Sequence, residues 1–268
     1  MPFTPAHIAA VLPFRRTRMV WSALVVGAVA PDLEYFLRMS PQGRYGHTFA
    51  GLFVFTLPLG LLTLWLFHAF VKTPFIELMP DRLERRLARA GDEFRFGGPV
   101  RFALIIVSLL VGICTHLIWD SFTHGNTWTT RYLHVLAHRV HLGSLGFVPF
   151  YKLLQHLSTV VGLAILLVWL AMWYRSGASG SDIRVSEAGS DFKAESQNAW
   201  PLRKILTLAA ITAIALLGAL FRALSSIGSP SNHSTLALFA GDFAATMIAL
   251  LWWEFVALGI WRYRRQKK

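Results

Sequence analysis

Long apolar stretches constrain the fold of this chain more than any other feature. Six of them are long enough, or nearly so, to cross a hydrocarbon core of about 30 Å. They lie at 19–37, 49–71, 101–119, 156–174, 205–224 and 236–261. Within lipid, a helix satisfies all of its backbone hydrogen bonds inside one segment. The sequence therefore predicts an all-α fold, a polytopic transmembrane helical bundle of about six spans.

The composition supports a membrane protein. Of the 268 residues, 54% are hydrophobic and 15% are charged, whereas about 25% are charged in a typical soluble domain. The mean hydropathy is +0.49. The only cysteine of the sequence, Cys114, lies inside an apolar stretch. A disulfide framework and a cysteine-based zinc site are therefore excluded.

The basic residues follow an alternating pattern along the chain. Twenty of the 26 Lys and Arg residues lie before the first apolar stretch, after the second, after the fourth or after the sixth. The positive-inside rule assigns these segments, and with them both termini, to the cytoplasm. This topology accounts for the net charge of +12. We expect the basic loops to contact membrane lipids with anionic headgroups, and we expect no nucleic-acid partner.

Composition also divides the chain into regions. Residues 175–200 are rich in Ser, Gly and charged side chains, which is typical of a flexible loop. We therefore predict a motif-bearing membrane region at 1–174 and a flexible cytoplasmic loop at 175–204. A C-terminal pair of transmembrane helices with a basic tail is predicted at 205–268.

The polar residues at the end of the third stretch form a ladder. His116, Asp120 and His124 recur at four-residue steps, which places them on one face of a helix. Asp32 ends the first stretch and His47 precedes the second, on the same outer side of the membrane. Imidazole and carboxylate are ligands of divalent metals such as zinc. These residues predict a metal site at the outer face, and a metal there can activate water for hydrolysis.

Five segments of the chain carry a family resemblance: MPFTPAH, APDLEYFLR, GHTFAGLFVFTLPLGLL, HLIWDSFTH and YKLLQHLSTVVG. In order and spacing, across 1–174, they resemble the bacterial membrane family called domain-of-unknown-function 4184. The same elements are similar to YdjM-type inner-membrane proteins described as metal-dependent hydrolases. More remotely, they are similar to the superfamily of zinc-dependent phospholipase C and P1 nuclease, in which such residues bind a cluster of zinc ions.

The resemblance implies a multi-pass protein of the bacterial inner membrane with a set of metal ligands. These are His7, Asp32, His47, His116, Asp120 and His124. It implies one or two zinc ions, with Asp120 shared between them. It also implies hydrolysis of a phosphoester or related bond in a lipid or envelope substrate. Asp120 and Glu34 are the expected catalytic carboxylates, Glu34 as the proton carrier.

Two departures from the related patterns argue against a three-metal site. Glu34 stands where the YdjM-type pattern has a second Asp. The distal H-x-x-x-E pair of the zinc-dependent superfamily is missing from this sequence.

His7 is the one expected ligand that the charge rule places in the cytoplasm. If His7 joins the outer site, residues 5–31 must form a re-entrant helical hairpin that turns at the RRTR stretch. The chain then has five spans plus this hairpin instead of six spans. Burying the three arginines costs several kcal/mol unless they reach the interface or find partners. Both topologies are open at the level of the sequence.

Two other classes of function are open as well. A transporter or metal-handling protein would use Asp242 and Glu254 of the last stretch, although Asp242 is also placed to pair with Arg222. The chain shows no inverted repeat, which argues against a transporter. A non-catalytic scaffold would use the metal only to hold helices together. Three further histidines are predicted to lie on an amphipathic interfacial helix: His134, His138 and His141.

Overall fold

The computed structural model of the chain describes residues 3–90, 94–143, 146–176, 200–226 and 235–267. Almost all of these residues are helical, and the sheet in the described ranges has two short strands. The predicted all-α, polytopic helical bundle is thereby confirmed. The chain divides into two compact units, and each unit is built from separate stretches of sequence.

The elements follow one another in this order. A 3₁₀ helix at Thr4–Arg16 precedes α1 (Trp21–Val29), a 3₁₀ turn (Ala30–Asp32), α2 (Leu33–Arg38) and α3 (Phe49–Glu77). Next come α4 (Asp81–Ala90), α5 (Pro99–Thr123), α6 (Trp128–Tyr132) and α7 (His134–Ala137). An antiparallel pair, β1 (Arg139–His141) and β2 (Phe147–Pro149), leads into α8 (Phe150–Ser176). The last helices are α9 (Leu202–Ser225) and α10 (Thr235–Gln266).

Five described helices are long and apolar enough to cross a membrane. They are Phe49–Glu77, Pro99–Tyr132, Phe150–Ser176, Leu202–Ser225 and Leu238–Gln266. The predicted first span, 19–37, is not one of them because it is broken into α1, the 3₁₀ turn and α2. Pro31 in this turn has no backbone N–H to donate. The nine residues of α1 rise only about 13 Å, so the observed elements match the alternative of five spans plus an N-terminal hairpin.

The first unit comprises the described parts of 1–32, 45–61 and 96–181. Its centre is the contact between α1 and α5, where two glycines allow the backbones to touch. A Cβ on Gly27 would overlap the carbonyl oxygen of Leu109, and a Cβ on Gly112 would overlap that of Leu24. The two helices therefore pack backbone against backbone, as small residues permit in membrane helices.

The N-terminal 3₁₀ helix folds back on this pair of helices. Its Val11 is fully buried against Leu24 of α1, and its Ala6 meets Gly162 of α8 so closely that a Cβ on this glycine would lie 2.9 Å away. The chain reverses at the RRTR stretch before α1 begins. The hairpin that the sequence required for His7 is therefore present.

The second unit comprises the described parts of 33–44, 62–95 and 182–268. Val71, Leu78, Phe255 and Val256 form its buried apolar cluster. The ion pair predicted between Arg222 and Asp242 is present, with 3.4 Å between Nη1 and Oδ2. Most of the predicted loop at 175–204 lies outside the described residues, so the proposed division into 1–174, 175–204 and 205–268 stays a prediction.

The contact between α1 and α5 yields a test of packing. In Gly112→Ala the new methyl group meets Leu24 O and, at 2.7 Å, the backbone nitrogen of Ala28. We expect a loss of about 1–3 kcal/mol of stability, typical of overpacking, measured as a lower Tm in detergent. The control is Gly60→Ala in α3, whose Cβ has ordinary contacts of 3.4 Å and longer. A Tm of Gly112→Ala no lower than that of Gly60→Ala would contradict this packing.

Candidate metal centre

All six predicted ligand residues lie in the first unit, and the structure brings them together. His7 comes from the 3₁₀ helix and Asp32 from the turn after α1. His47 precedes α3 by two residues, and His124 caps the C-terminal end of α5. His116 and Asp120 lie on α5 itself. Four separate positions of the backbone thus contribute to one cluster.

Asp120 lies at the middle of the cluster. Its Oδ1 is 3.4 Å from Nε2 of His7 and 3.6 Å from Nδ1 of His124. Its Oδ2 is 3.2 Å from Nε2 of His47 and 3.4 Å from Nε2 of His116. Each carboxylate oxygen therefore faces its own pair of imidazoles.

Asp32 is the second carboxylate and is fully buried. Its Oδ1 lies 3.5 Å from Nε2 of His47 and 3.6 Å from Nε2 of His116. Its Oδ2 accepts a hydrogen bond of 2.6 Å from the hydroxyl of Thr4. This bond leaves Oδ1 as the oxygen that faces the histidines.

The separations fit the dimensions of a metal site. A tetrahedral zinc site with bonds of 2.0–2.1 Å places neighbouring ligand atoms about 3.3–3.4 Å apart. The separations of 3.2–3.6 Å between the carboxylate oxygens and imidazole nitrogens are close to this value. Two triads have ligand atoms within 4.8 Å of one another: His7, His116 and Asp120, and Asp32, His47 and His116. His124 belongs to neither triad.

The buried atoms of the cluster lack ordinary partners. Within the described residues, no hydrogen bond reaches Nδ1 or Nε2 of His7, Oδ1 of Asp32, Nε2 of His116 or Oδ1 of Asp120. Polar atoms in a native interior are seldom left in this state. A divalent cation satisfies such a set of nitrogens and oxygens at once, so the residues fit a metal ion.

Hydrogen bonds orient the imidazoles. His116 Nδ1 lies 2.8 Å from the carbonyl oxygen of Ala28, so Nδ1 donates to this carbonyl and Nε2 is directed toward the carboxylates. His124 Nδ1 lies 3.1 Å from the carbonyl oxygen of Asp120, and its Nε2 faces Gln155 at 3.5 Å. Gln155 is buried.

Close backbone approach places His47 beside Asp32. A Cβ on Gly46 would overlap the carbonyl oxygen of Pro31, so only glycine lets these two segments touch here. The carbonyl of Gly46 in turn accepts a hydrogen bond of 3.2 Å from Thr56. The two residues that follow this contact, Asp32 and His47, are thereby held side by side.

Burial differs across the cluster. His7, Asp32, His116 and Asp120 are buried, whereas the side chains of His47 and His124 are 31% and 29% exposed. The cluster therefore has one edge open to its surroundings. Burial, followed by the neighbouring His116, lowers the pKa of His7 to about 3. His7 is accordingly neutral near pH 7, which is the form that binds metal.

Glu34 belongs to the second unit, whereas the cluster lies in the first. Glu34 lies on α2, and its Oε1 accepts from Arg38 Nε at 2.9 Å. Its Oε2 accepts from the backbone nitrogen of Arg44, also at 2.9 Å. An ion-paired carboxylate is a weak base, so the proton-carrying role expected for Glu34 stays a prediction without structural support.

Two features of the neighbourhood differ from the sequence prediction or were missed by it. The expected amphipathic helix through His134, His138 and His141 is wrong, because α7 ends at Ala137 and β1 begins at Arg139. Gly143 and Gly146, both with positive φ, form the reversal that makes a hairpin there. Thr4 was missed, since no spacing relates it to Asp32.

These observations define the class of protein. The chain is an all-α polytopic membrane protein that carries a buried cluster of imidazoles and carboxylates within metal-binding distance. It belongs to the family described as Domain of unknown function (DUF4184), whose model matches residues 1–260. Comparisons with curated proteins and with solved structures gave no match.

The hydroxyl of Thr4 gives a test of the cluster. Thr4→Val keeps the shape of the side chain but removes the bond that orients Asp32, so we expect divalent metal affinity to fall about tenfold or more. Competition against a chelating dye measures this affinity. The matched control is Thr115→Val, whose hydroxyl donates a hydrogen bond within α5, to Gly112 O. Equal affinities in the two variants would show that Thr4 has no part in the site.

Proposed function

We propose that this protein is a metal-dependent hydrolase of the bacterial inner membrane, acting on a phosphoester or related bond in a lipid or envelope substrate. One observation carries the proposal. Two carboxylates and four imidazoles from distant parts of the chain meet in an apolar unit. Five of their buried atoms have no hydrogen-bond partner among the described residues: His7 Nδ1 and Nε2, Asp32 Oδ1, His116 Nε2 and Asp120 Oδ1. Residues of this kind, on rigid elements and with one open edge, are typical of a hydrolytic metal centre.

The donor atoms favour one or two zinc ions. Asp32 Oδ1, His47 Nε2, His116 Nε2 and Asp120 Oδ2 would form one set of four ligands. His7 Nε2 and Asp120 Oδ1 belong to a second set, with His124 beside them. A neutral imidazole has one lone pair and a carboxylate has two oxygens, so Asp120 is the residue suited to be shared. Nitrogen and oxygen ligands without thiolate are compatible with zinc.

A bound metal would act as a Lewis acid and would lower the pKa of a coordinated water toward neutrality. The residues of the chain orient the ligands and leave access for the substrate. Thr4 and the carbonyl of Ala28 hold Asp32 and His116 in their ligating orientations. His47 and His124 form the open edge, through which a substrate reaches the ligands. Asp120 remains the proposed catalytic carboxylate.

The nature of the substrate is supported by resemblance and by location. The order of His7, Asp32, His47 and the H-x-x-x-D step at His116 resembles YdjM-type hydrolases and, remotely, the zinc-dependent phospholipase C and P1 nuclease superfamily. The cluster also lies toward the C-terminal end of α5, which is long and apolar enough to cross a membrane. A phosphoester at the membrane surface is the substrate that both facts favour.

The open edge favours this function over its rivals. A purely structural metal site is closed by its protein ligands, whereas His47 and His124 are each about one-third exposed. For a transporter, the acidic residues of interest are Asp242 and Glu254. Asp242 is paired with Arg222, whereas the buried carboxylate oxygens of Glu254 have no hydrogen-bond partner among the described residues.

A topology follows from the hairpin. We propose that the 3₁₀ helix and α1 form a re-entrant hairpin, with its RRTR turn directed toward the cytoplasmic side and its N-terminal residues at the outer side. The basic tail after α10 stays cytoplasmic, as the charge rule predicts. A six-span chain would have a cytoplasmic N-terminus. We propose an outer N-terminus instead, because His7 contacts Asp120, which we place at the outer end of α5.

Reporter fusions test this topology. We expect a reporter fused after Lys268 to be active in the cytoplasm, and one fused before residue 3 to be active outside. In a chain with five spans, the N-terminus and the C-terminus lie on opposite sides of the membrane. Two cytoplasmic signals would restore the six-span arrangement and separate His7 from the proposed site.

Metal content and hydrolysis test the function itself. Asp120→Asn is nearly isosteric but removes the charge shared by four imidazoles, so we expect it to lose most of the bound metal. His134→Ala and His138→Ala, in the exposed α7 region, serve as controls and should keep it. Inductively coupled plasma measurements give the metal content, and a phospholipid-hydrolysis screen gives the activity. Wild-type metal content in Asp120→Asn would overturn the site, and metal without any hydrolysis would favour the scaffold.

A further inference from the structure

The segment that follows α5 lies directly beside the metal-ligand cluster. We call residues 127–143 and 146–152 the outer segment; it contains α6, α7 and the β1–β2 pair. Thr127 and Thr129 both donate hydrogen bonds to the carbonyl oxygen of Ser121, one residue after Asp120. At its other end, β2 continues without interruption into α8, which carries Gln155 next to His124. The outer segment thus borders the open edge of the cluster.

The charged side chains of the outer segment are all basic. Across 1–32, 45–61 and 96–181, the sequence contains two acidic residues, Asp32 and Asp120. Both are buried in the cluster. Arg131, Arg139 and Lys152 of the outer segment are exposed, and no other carboxylate of this unit exists to pair with them. A surface of this kind attracts anions toward the neighbouring site.

The same segment exposes large apolar side chains. Trp128, Tyr132 and Phe147 are 64%, 80% and 67% exposed. Aromatic residues at such positions are typical of the interface between water and the hydrocarbon of a membrane. The outer segment therefore exposes both arginines and aromatic rings, and this combination fits a molecule with an anionic head and an apolar body.

We infer that the outer segment recognises an anionic phospholipid and presents it to the metal centre. The inference rests on the proposed function and deepens it by assigning the charge of the substrate. The planar guanidinium groups of Arg131 and Arg139 bind phosphate oxygens with two hydrogen bonds each. A zwitterionic headgroup adds a cation, which this surface repels. The acyl chains stay among the aromatic side chains, at the level of the bilayer.

Tryptophan quenching by brominated lipids tests binding without relying on activity. The full-length protein is placed in mixed micelles of a non-ionic detergent with brominated phosphatidylglycerol or brominated phosphatidylcholine. The part of the quenching that Trp128→Phe abolishes is assigned to Trp128. We expect half-maximal quenching of Trp128 at an about tenfold lower fraction of the phosphatidylglycerol, since each cation near a lipid surface contributes substantially.

Charge variants give the decisive comparison. Arg131→Gln with Arg139→Gln should abolish the preference for phosphatidylglycerol. The matched control, Arg101→Gln with Arg175→Gln, removes two exposed arginines from the far ends of α5 and α8 and should preserve it. Equal quenching by both lipids in the wild type, or an unchanged preference in the first variant, would overturn the inference.

Measuring hydrolysis of the lipids in the same micelles distinguishes the proposed hydrolase activity from the proposed anionic substrate. Phospholipid hydrolysis without any preference for phosphatidylglycerol would support the proposed hydrolase activity and overturn the assignment of an anionic substrate. A preference for phosphatidylglycerol without hydrolysis of either lipid supports the lipid-binding surface and overturns the hydrolase. If both proposals hold, Arg131→Gln with Arg139→Gln raises KM for phosphatidylglycerol and leaves kcat and metal content unchanged.

Discussion

The burial of two carboxylates is the constraint on which the first unit depends. Asp32 and Asp120 lie inside a unit made of apolar helices, where an isolated ionised carboxylate costs several kcal/mol. Four imidazoles surround them, but His7 is neutral near pH 7 and balances no charge. A divalent cation of the kind proposed above would offset this charge, because it would neutralise the carboxylates and occupy lone pairs of the imidazoles together. The stability of the unit and its chemistry are then two results of one event.

Backbone contact between helices makes this arrangement possible. Gly27 and Gly112 bring α1 against α5, and the carbonyl of Ala28 thereby reaches His116. Gly46 performs the same role between the turn at Pro31 and the start of α3. A larger residue at any of these glycines would displace a ligand without touching it. Packing of small residues, which in many membrane proteins only joins helices, here also sets the geometry of the site.

The sequence predicted those parts of the molecule that depend on local pattern. The long apolar helices α5, α8 and α9 follow from length and composition, and the ladder of His116, Asp120 and His124 follows from helical periodicity. The local sequence pattern failed to predict the parts of the structure that depend on packing between distant segments. Pro31 interrupts the first apolar stretch, and the packing of Ala6 on α8 carries His7 to the cluster against the charge rule.

Two details illustrate what a single sequence leaves undetermined. Thr4 lies 28 residues from Asp32, so only the folded hairpin relates them. The histidines between 134 and 141 have a helical spacing, but Gly143 and Gly146 adopt positive φ and reverse the chain into a hairpin. Gly143 and Gly146 were the feature of the sequence that could have indicated this hairpin, because glycine adopts positive φ without strain.

The discontinuity of the first unit has a consequence for biosynthesis. Its polar residues emerge from the ribosome far apart in time: His7, Asp32 and His47 come first, and Asp120 follows more than 70 residues later. At a synthesis rate of roughly 5–20 residues per second, the early ligands wait on the order of 4–15 s for their partner. The hairpin waits longer still, because α8, on which Ala6 packs, is the last helix of the first unit to be made. During this interval the N-terminal segment must stay near water or bind the insertion machinery. The order of synthesis therefore makes completion of the cluster a late step of membrane assembly, after the helices that surround it have entered the bilayer.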